Sequence, residues 1–129
     1  MKHFLLVELI RHLGQKETPL CYVDTHAGAG VYALDSGHAV KLGEHHDGIG
    51  RLWSRMDLPT TLEEYVNYVR ELNPDGELRK YPGSPWIAQR FLRPQDRLRL
   101  FELHSTDITL LRNNFRALGL TRARRAIVA

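Results

Sequence analysis

A single cysteine, Cys21, stands in 129 residues, so no disulfide can form within the chain and the fold rests on its core alone. Because Cys21 opens the β-prone run Cys21-Tyr22-Val23, it is expected to be a small core residue rather than a nucleophile. No apolar run approaches the ~20 residues that cross a bilayer, and the opening Met1-Lys2-His3-Phe4 leads into an amphipathic stretch carrying Glu8 and Arg11. A cytoplasmic protein with no membrane partner is the expectation. His45 and His46, flanked by Glu44 and Asp47, have neither a His-x-x-x-His partner nor a cysteine set, and adjacent helical positions diverge, so no metal site is expected. The six prolines are Pro19, Pro59, Pro74, Pro82, Pro85 and Pro94, with no adjacent pair, and no acid follows Asp107. The chain has no internal repeat and no low-complexity tract.

What is present is the composition of a folded domain. With 43% hydrophobic and 26% charged residues, one domain with a buried core is expected rather than a disordered chain. The net charge of +3 is unevenly spread. Residues 1 to 78 hold seven Lys/Arg against twelve Asp/Glu, and residues 79 to 129 hold eleven against three. A second part this basic is an electrostatic footprint for a polyanion such as RNA, and a solvated surface gives the same count.

Residues 2 to 13 set Phe4, Leu5, Leu9, Ile10 and Leu13 near helical spacing, with Gly14 as a stop. Residues 19 to 24 read as a strand, residues 25 to 30 as a loop, and residues 31 to 34 as a following helix or tight turn. Between 35 and 80 the pattern is helical. One helix is expected over 44 to 56, with Ile49, Leu52, Trp53 and Met56 on one face. A second is expected behind the overlapping capping boxes of Thr60-Thr61-Leu62-Glu63-Glu64, with Leu62, Tyr65, Val66, Val69 and Leu72 as its stripe. Asn73-Pro74-Asp75-Gly76 then turns the chain.

Ser84-Pro85 supplies an N-cap and first helical residue for a helix to Leu92. Residues 97 to 103 form an imperfectly alternating strand. Thr106-Asp107 caps a helix bearing Leu110, Leu111, Phe115 and Leu118 that ends at Gly119, and residues 126 to 129 begin another strand. Trp53 and Trp86 lie on apolar stripes and are expected in the core rather than as base-stacking platforms.

The chemistry concentrates in Asp24-Thr25-His26-Ala27-Gly28-Ala29-Gly30. A strand ending in a carboxylate and entering a turn with two glycines is how an open α/β sheet presents its carboxyl edge to a ligand. Asp24 puts negative charge beside the turn, which disfavours a bare pyrophosphate and favours a cationic or hydroxyl-bearing ligand, a description that S-adenosylmethionine meets. Glu102, at the end of a second strand, suits vicinal ribose hydroxyls, and a surface glutamate is its bland alternative. Gly28-x-Gly30-x-x-Ala33 also fits a loose dinucleotide fingerprint, but the acid expected about 20 residues on falls among Glu44 to Asp47 in a helical context. The nicotinamide reading therefore lacks its second anchor. Arg112 and Arg116 share a helix face, and with Arg122, Arg124 and Arg125 could meet RNA phosphates or simply face solvent. From spacing, His3 is a helix-cap or surface residue.

Three elements, the Asp24 to Gly30 loop, Tyr81-Pro82-Gly83-Ser84-Pro85, and Glu102-Leu103-His104 with Asp107, occur in an order and spacing that resemble the bacterial large-subunit ribosomal RNA adenine-N6 methyltransferase J family. The resemblance runs from Lys2-His3 to about Gly119. It implies an α/β, Rossmann-like S-adenosylmethionine-dependent methyltransferase fold, incomplete, with a small helical insertion after the first strand. Residues 1 to 34 and 81 to 129 would form the partial cofactor-binding domain, and residues 35 to 80 the insertion.

Cofactor contacts are implied at His3, His26, Ser84 and Glu102, of which His3 and Ser84 rest on resemblance alone. Asp24, Gly28 and Gly30 complete the expected cofactor-binding set. The family's N-terminal Tyr-Arg-His-x-x-His-Ala-Gly-Asn element, its Asp-Pro-Pro-Tyr motif and a later Asp-Gly pair are absent, so no catalytic residue is assigned. In the family that proline motif holds the target adenine amine and stacks the flipped base. The expected function is methylation of adenine N6 in 23S ribosomal RNA, protein-free or at an early assembly stage, by an enzyme that is monomeric when complete. This chain is expected to carry the donor-binding part and to be inactive alone. The alternative is a non-catalytic, basic RNA-binding or assembly module.

Overall fold

The computed structural model describes residues 2–33, 49–117 and, as backbone, 125–128. In chain order its elements are α1 (Lys2–Leu13), β1 (Cys21–Asp24), β2 (Val31–Ala33), α2 (Ile49–Leu52), α3 (Thr60–Glu71), β3 (Lys80–Pro82), α4 (Ser84–Phe91), β4 (Arg97–Phe101), α5 (Ser105–Ala117) and β5 (Arg125–Val128). These form a small mixed α/β protein with short strands, in two compact units. One comprises Lys2–Val31 with Pro82–Ala129, the other Tyr32–Tyr81.

The first unit is built on a three-stranded parallel sheet in the order β1-β4-β5. Alternation along β4 decides which face is covered: Leu98 and Leu100 are buried while Arg97 and Arg99 are exposed. The register sets Tyr22 beside Leu98 and Asp24 beside Leu100, so these β1 residues share the covered face. Around Leu98 and Leu100 gather Ile10 of α1, Ala88 of α4, Leu92, and Leu111 and Phe115 of α5. At roughly 25 cal/mol per Å² of apolar surface buried, such a cluster is the main stabilising term. Phe4, Leu5, Leu9 and Leu13 do not form the inner face of α1. His3, Val7 and Ile10 do, and Leu5, Leu9 and Leu13 are exposed.

Cys21 is not a core residue. It is exposed, because among the described residues β1 pairs only with β4 and the alternation that turns Tyr22 and Asp24 inward turns Cys21 and Val23 outward. Strand starts and stops are tighter than expected: β1 begins at Cys21 rather than residue 19, and β4 ends at Phe101, leaving Glu102 just beyond it.

An ion pair fastens the non-chemical end of this sheet. Asp96 is 2% exposed and its carboxylate accepts the Leu20 N–H (2.8 Å), the Arg93 N–H (2.8 Å) and the Arg93 guanidinium (3.1 Å). Arg93 also donates to the carbonyls of Gly14, Lys16 and Thr18. The segment between α1 and β1 is thereby held against the turn before β4, where the Arg97 N–H meets the Leu20 carbonyl at 2.8 Å. Burial pushes the Asp96 carboxyl up, but Arg93 and the backbone donors outweigh it and hold the pKa below the ordinary value.

In the second unit, α3 buries Tyr65, Val66 and Val69. Its N-cap is Pro59, with no side-chain cap, so Thr60 and Thr61 lie inside the helix rather than capping it. Buried Asn73 closes the turn that follows, donating to the carbonyls of Val69 and Lys80 and accepting the N–H groups of Arg79 and Lys80 at 2.8–2.9 Å. The helix expected over 44 to 56 is described only from residue 49 and spans Ile49–Leu52. Trp53 therefore follows the helix, its indole N–H bonded to the Gly76 carbonyl and its ring under Arg70. Trp86, by contrast, is buried as expected.

Candidate functional site

Two parallel strands that end side by side set their carboxyl-terminal residues at one edge of the sheet. At the end of β1, Asp24 turns back on its own loop: Oδ1 accepts the His26 N–H at 3.0 Å. Oδ2 accepts two hydroxyls, Ser84 Oγ–H at 2.5 Å and Tyr22 O–H at 3.2 Å. Ser84 is not the N-cap of α4. Gly83 is, in extended conformation and without a side-chain cap bond, and the Ser84 hydroxyl is spent on Asp24 instead.

The glycine loop then passes over the end of β4. Ala27 N–H donates to the Phe101 carbonyl at 3.1 Å, and Gly28 N–H to Glu102 Oε2 at 2.7 Å. Gly28 (φ 66) and Gly30 (φ 82) both occupy the left-handed region. Gly30 is also crowded, since a Cβ there would lie 2.9 Å from Leu111 Cδ1. Its carbonyl takes the Gly83 N–H at 2.7 Å, which ties the N-cap of α4 to the glycine loop. Asn114 of α5 supports the same loop through the carbonyls of Ala29 and Val31. Residues 31 to 33 are strand β2, correcting the helix or turn expected over 31 to 34, of which residue 34 lies outside the described residues.

Glu102 Oε1 accepts the His104 N–H at 2.8 Å. The backbone donors His104 and Gly28 hold the Glu102 carboxyl below the usual glutamate value. Each carboxylate oxygen has used one lone pair and keeps capacity for a further donor. Tyr22 moves the opposite way, its phenol raised to about 12 first by burial and then by the Asp24 charge, with the Ser84 hydroxyl pulling against them.

Three consecutive amides of the loop, His26, Ala27 and Gly28, are thus all consumed internally. A phosphate cradle needs such N–H groups free, followed by a helix N-terminus, and neither condition holds. What the site offers a ligand is acceptor capacity, from Asp24, Ser84 and Glu102. His26 is exposed, with Nδ1 2.9 Å from Thr25 Oγ1. His3 is buried on α1 rather than on the surface, and α1 packs along α4, the helix that begins at Ser84.

The structure therefore joins Asp24 to Ser84 and Gly28 to Glu102. Tyr22 and Asn114 were missed by sequence reasoning. The i, i+2 spacing of Tyr22 and Asp24 on one strand was the available signal for the first, and nothing local marked Asn114. Among the described residues no group of three His, Cys, Asp or Glu side chains could hold a metal, and no helix is long and apolar enough to cross a membrane. His45, His46, Glu44, Asp47, Arg122 and Arg124 lie outside the described residues.

Known proteins resemble the chain in sequence and in fold. The chain is 48% identical over 126 residues to the Ribosomal RNA large subunit methyltransferase J of Escherichia coli (strain K12), covering 98% of this chain and 45% of that protein. It is 48% identical over 116 residues to the protein of that name from Haemophilus influenzae, covering 89% and 41%. The crystal structure of protein LPL1258 from Legionella pneumophila str. Philadelphia 1 superposes with a TM-score of 0.79 at 36% identity, covering 98% of this chain and 45% of that one. The chain thus spans less than half the length of the curated relatives it matches. Residues 17–126 match the family model described as Ribosomal RNA large subunit methyltransferase D, RlmJ, and the chain belongs to that family.

Proposed function

We propose that these 129 residues hold the methyl donor of an enzyme that transfers a methyl group from S-adenosylmethionine to N6 of an adenine in 23S ribosomal RNA. The observation that carries the reading is the polarity of the site. Its loop amides are satisfied internally, while Asp24, Ser84 and an ionised Glu102 retain acceptor capacity at adjacent strand ends. Such a surface matches a ligand with an ammonium, a sulfonium and two vicinal hydroxyls better than one with a pyrophosphate. In this assignment Glu102 holds the ribose hydroxyls, and Asp24 and Ser84 face the amino-acid end. Gly28 and Gly30 let the backbone come close, and His26 and His3 complete the set. When bound, the donor supplies an electrophilic methyl carbon on sulfur.

The strand order β1-β4-β5, all parallel and joined through α4 and α5, supports a Rossmann-like arrangement in which Tyr32–Tyr81 is an insertion. The chain contains no Asp-Pro-Pro-Tyr sequence, so these residues by themselves are expected to bind donor without transferring its methyl group. An enzyme of this kind, acting on ribosomal RNA in a bacterium, would work in the cytoplasm.

Isothermal calorimetry with S-adenosylhomocysteine tests the reading. Binding that is lost in both Asp24→Ala and Glu102→Ala supports it. Absence of heat with the wild-type chain contradicts it. A second reading, a basic RNA-binding module without cofactor, is favoured by the exposed Arg97, Arg99, Arg112 and Arg116. It predicts RNA binding that falls steeply with salt and is indifferent to both substitutions.

A further inference from the structure

We propose that Tyr22, a residue with no direct ligand contact, is a positioning residue that fixes the Asp24 carboxylate and, through it, makes the Ser84 hydroxyl an obligate hydrogen-bond acceptor toward the amino-acid end of the donor. The inference rests on the donor-site reading above and adds to it a residue and a rule of polarity.

An ionised carboxylate has about two acceptor sites on each oxygen. Asp24 Oδ2 fills both, with the Tyr22 hydroxyl at 3.2 Å and the Ser84 hydroxyl at 2.5 Å. Oδ1 gives one site to the His26 N–H at 3.0 Å, so one site on Oδ1 is left for a ligand. Ser84 has one proton and lies within reach of both the Tyr22 oxygen and Asp24 Oδ2; the ionised carboxylate, at 2.5 Å, is the stronger acceptor and takes it. The Ser84 oxygen can then only accept from any further partner. A serine at the first position of a helix ordinarily has its proton free to point at an anion. Here that option is closed.

Tyr22 makes the closure durable. It sits two residues before Asp24 on the same strand face, against the hydrophobic cluster, so its ring position is set by packing rather than by the ligand. Its elevated phenol pKa keeps the proton on the oxygen across the physiological range, so Tyr22 always donates. With Oδ2 occupied by a fixed donor, the carboxylate cannot rotate to offer both oxygens outward. The ligand therefore meets two acceptors, Ser84 Oγ and Asp24 Oδ1, which suits an ammonium with its three donors and rejects a carboxylate or phosphate at that point.

The test compares two probes. S-adenosylhomocysteine carries the amino-acid end, and 5′-methylthioadenosine has the same nucleoside and sulfur without it. By calorimetry on the whole 129-residue chain, Tyr22→Phe should weaken S-adenosylhomocysteine about tenfold or more, the effect of one hydrogen bond to a charged group. Binding of 5′-methylthioadenosine should stay within a factor of two. Glu102→Ala should weaken both. If Tyr22→Phe weakens both probes equally, the role is merely structural and the assignment falls while the donor-site reading stands. Failure of the wild-type chain to bind either probe sinks the donor-site reading and the assignment with it. A measurement on the free chain keeps the bonding pattern falsifiable. The spectrophotometric tyrosinate titration of wild type minus Tyr22→Phe should show a group near 12 that falls in Asp24→Asn by the part the Asp24 charge contributes, while burial still holds it above 10. A tyrosine titration that Asp24→Asn leaves unmoved would overturn the proposal.

Discussion

Glu102 Oε2 accepts the Gly28 N–H at 2.7 Å, so the acid after β4 holds the glycine turn after β1. Its other oxygen holds the His104 amide, which makes Glu102 the link between the two loops of the site. Glu102→Gln should separate this bracing role from simple charge. One of its two oxygens becomes an NH2 that faces either the Gly28 or the His104 N–H, donor against donor. Amide hydrogen exchange at Gly28 or His104 should accelerate about tenfold or more, while Leu98 and Leu100 in β4 stay protected. Unchanged exchange at both amides would show that the loop stands without Glu102.

The two glycine conformations can be priced separately. Gly30 (φ +82) meets Leu111 Cδ1 at 2.9 Å if given a Cβ, whereas Gly76 (φ +86) meets nothing within 4 Å. Gly76→Ala should therefore cost only the backbone strain, about 1 kcal/mol, and Gly30→Ala about 2–3 kcal/mol because packing against α5 is added. Urea denaturation of both variants reads the difference directly.

Asp96 carries a pH signature. Its carboxyl titrates below the ordinary 3.8 in the folded chain, and Glu102 below 4.5. Both depressed values mean stabilisation that is complete above the unfolded pKa and is lost as pH falls through the folded one. Stability should thus be flat near neutrality and decline below about pH 4.5, in the usual range of carboxylate linkage. Asp96→Ala, which strands Arg93 among the carbonyls of Gly14, Lys16 and Thr18, should lose about 3 kcal/mol at pH 7 and flatten the acid limb. Thermal melts from pH 3 to pH 8 test both statements.

Cys21 should react stoichiometrically with a thiol reagent in the native chain, because it lies on the exposed face of β1. A core cysteine would react only after denaturant. The reaction rate without denaturant distinguishes the two.

That cysteine also illustrates where the sequence stops being legible. The strands, the helices of the first unit and the Asp24 to Gly30 loop could be read from periodicity and turn chemistry, since those are local signals. Whether a short apolar strand is covered on one face or two depends on its neighbours in the sheet, and Cys21-Tyr22-Val23 reads the same in both cases. Capping misled for a similar reason. Ser84 has the residue type and position of an N-cap, but a carboxylate 60 residues away in sequence offers its hydroxyl a stronger partner than the backbone does. Asn114 acts through long-range hydrogen bonds that no spacing rule anticipates, whereas Tyr22 bonds Asp24 two residues away on its own strand and was legible in that spacing. Asp24 and Glu102 were legible because strand-end acids are few, although their wiring was not: the sequence suggests two free carboxylates, and the structure has each bracing a loop.

The central claim is that the strand-end loops form a donor site whose ligand is recognised by acceptors. Its most direct test is amide NMR of the 15N-labelled chain titrated with S-adenosylhomocysteine and, separately, with NADH. The account predicts shifts with S-adenosylhomocysteine at His26 to Gly30, Ser84 and Leu103 to His104, little change within Tyr32–Tyr81, and none with NADH. Shifts with NADH at the glycine loop, or no shifts there with S-adenosylhomocysteine, would contradict it.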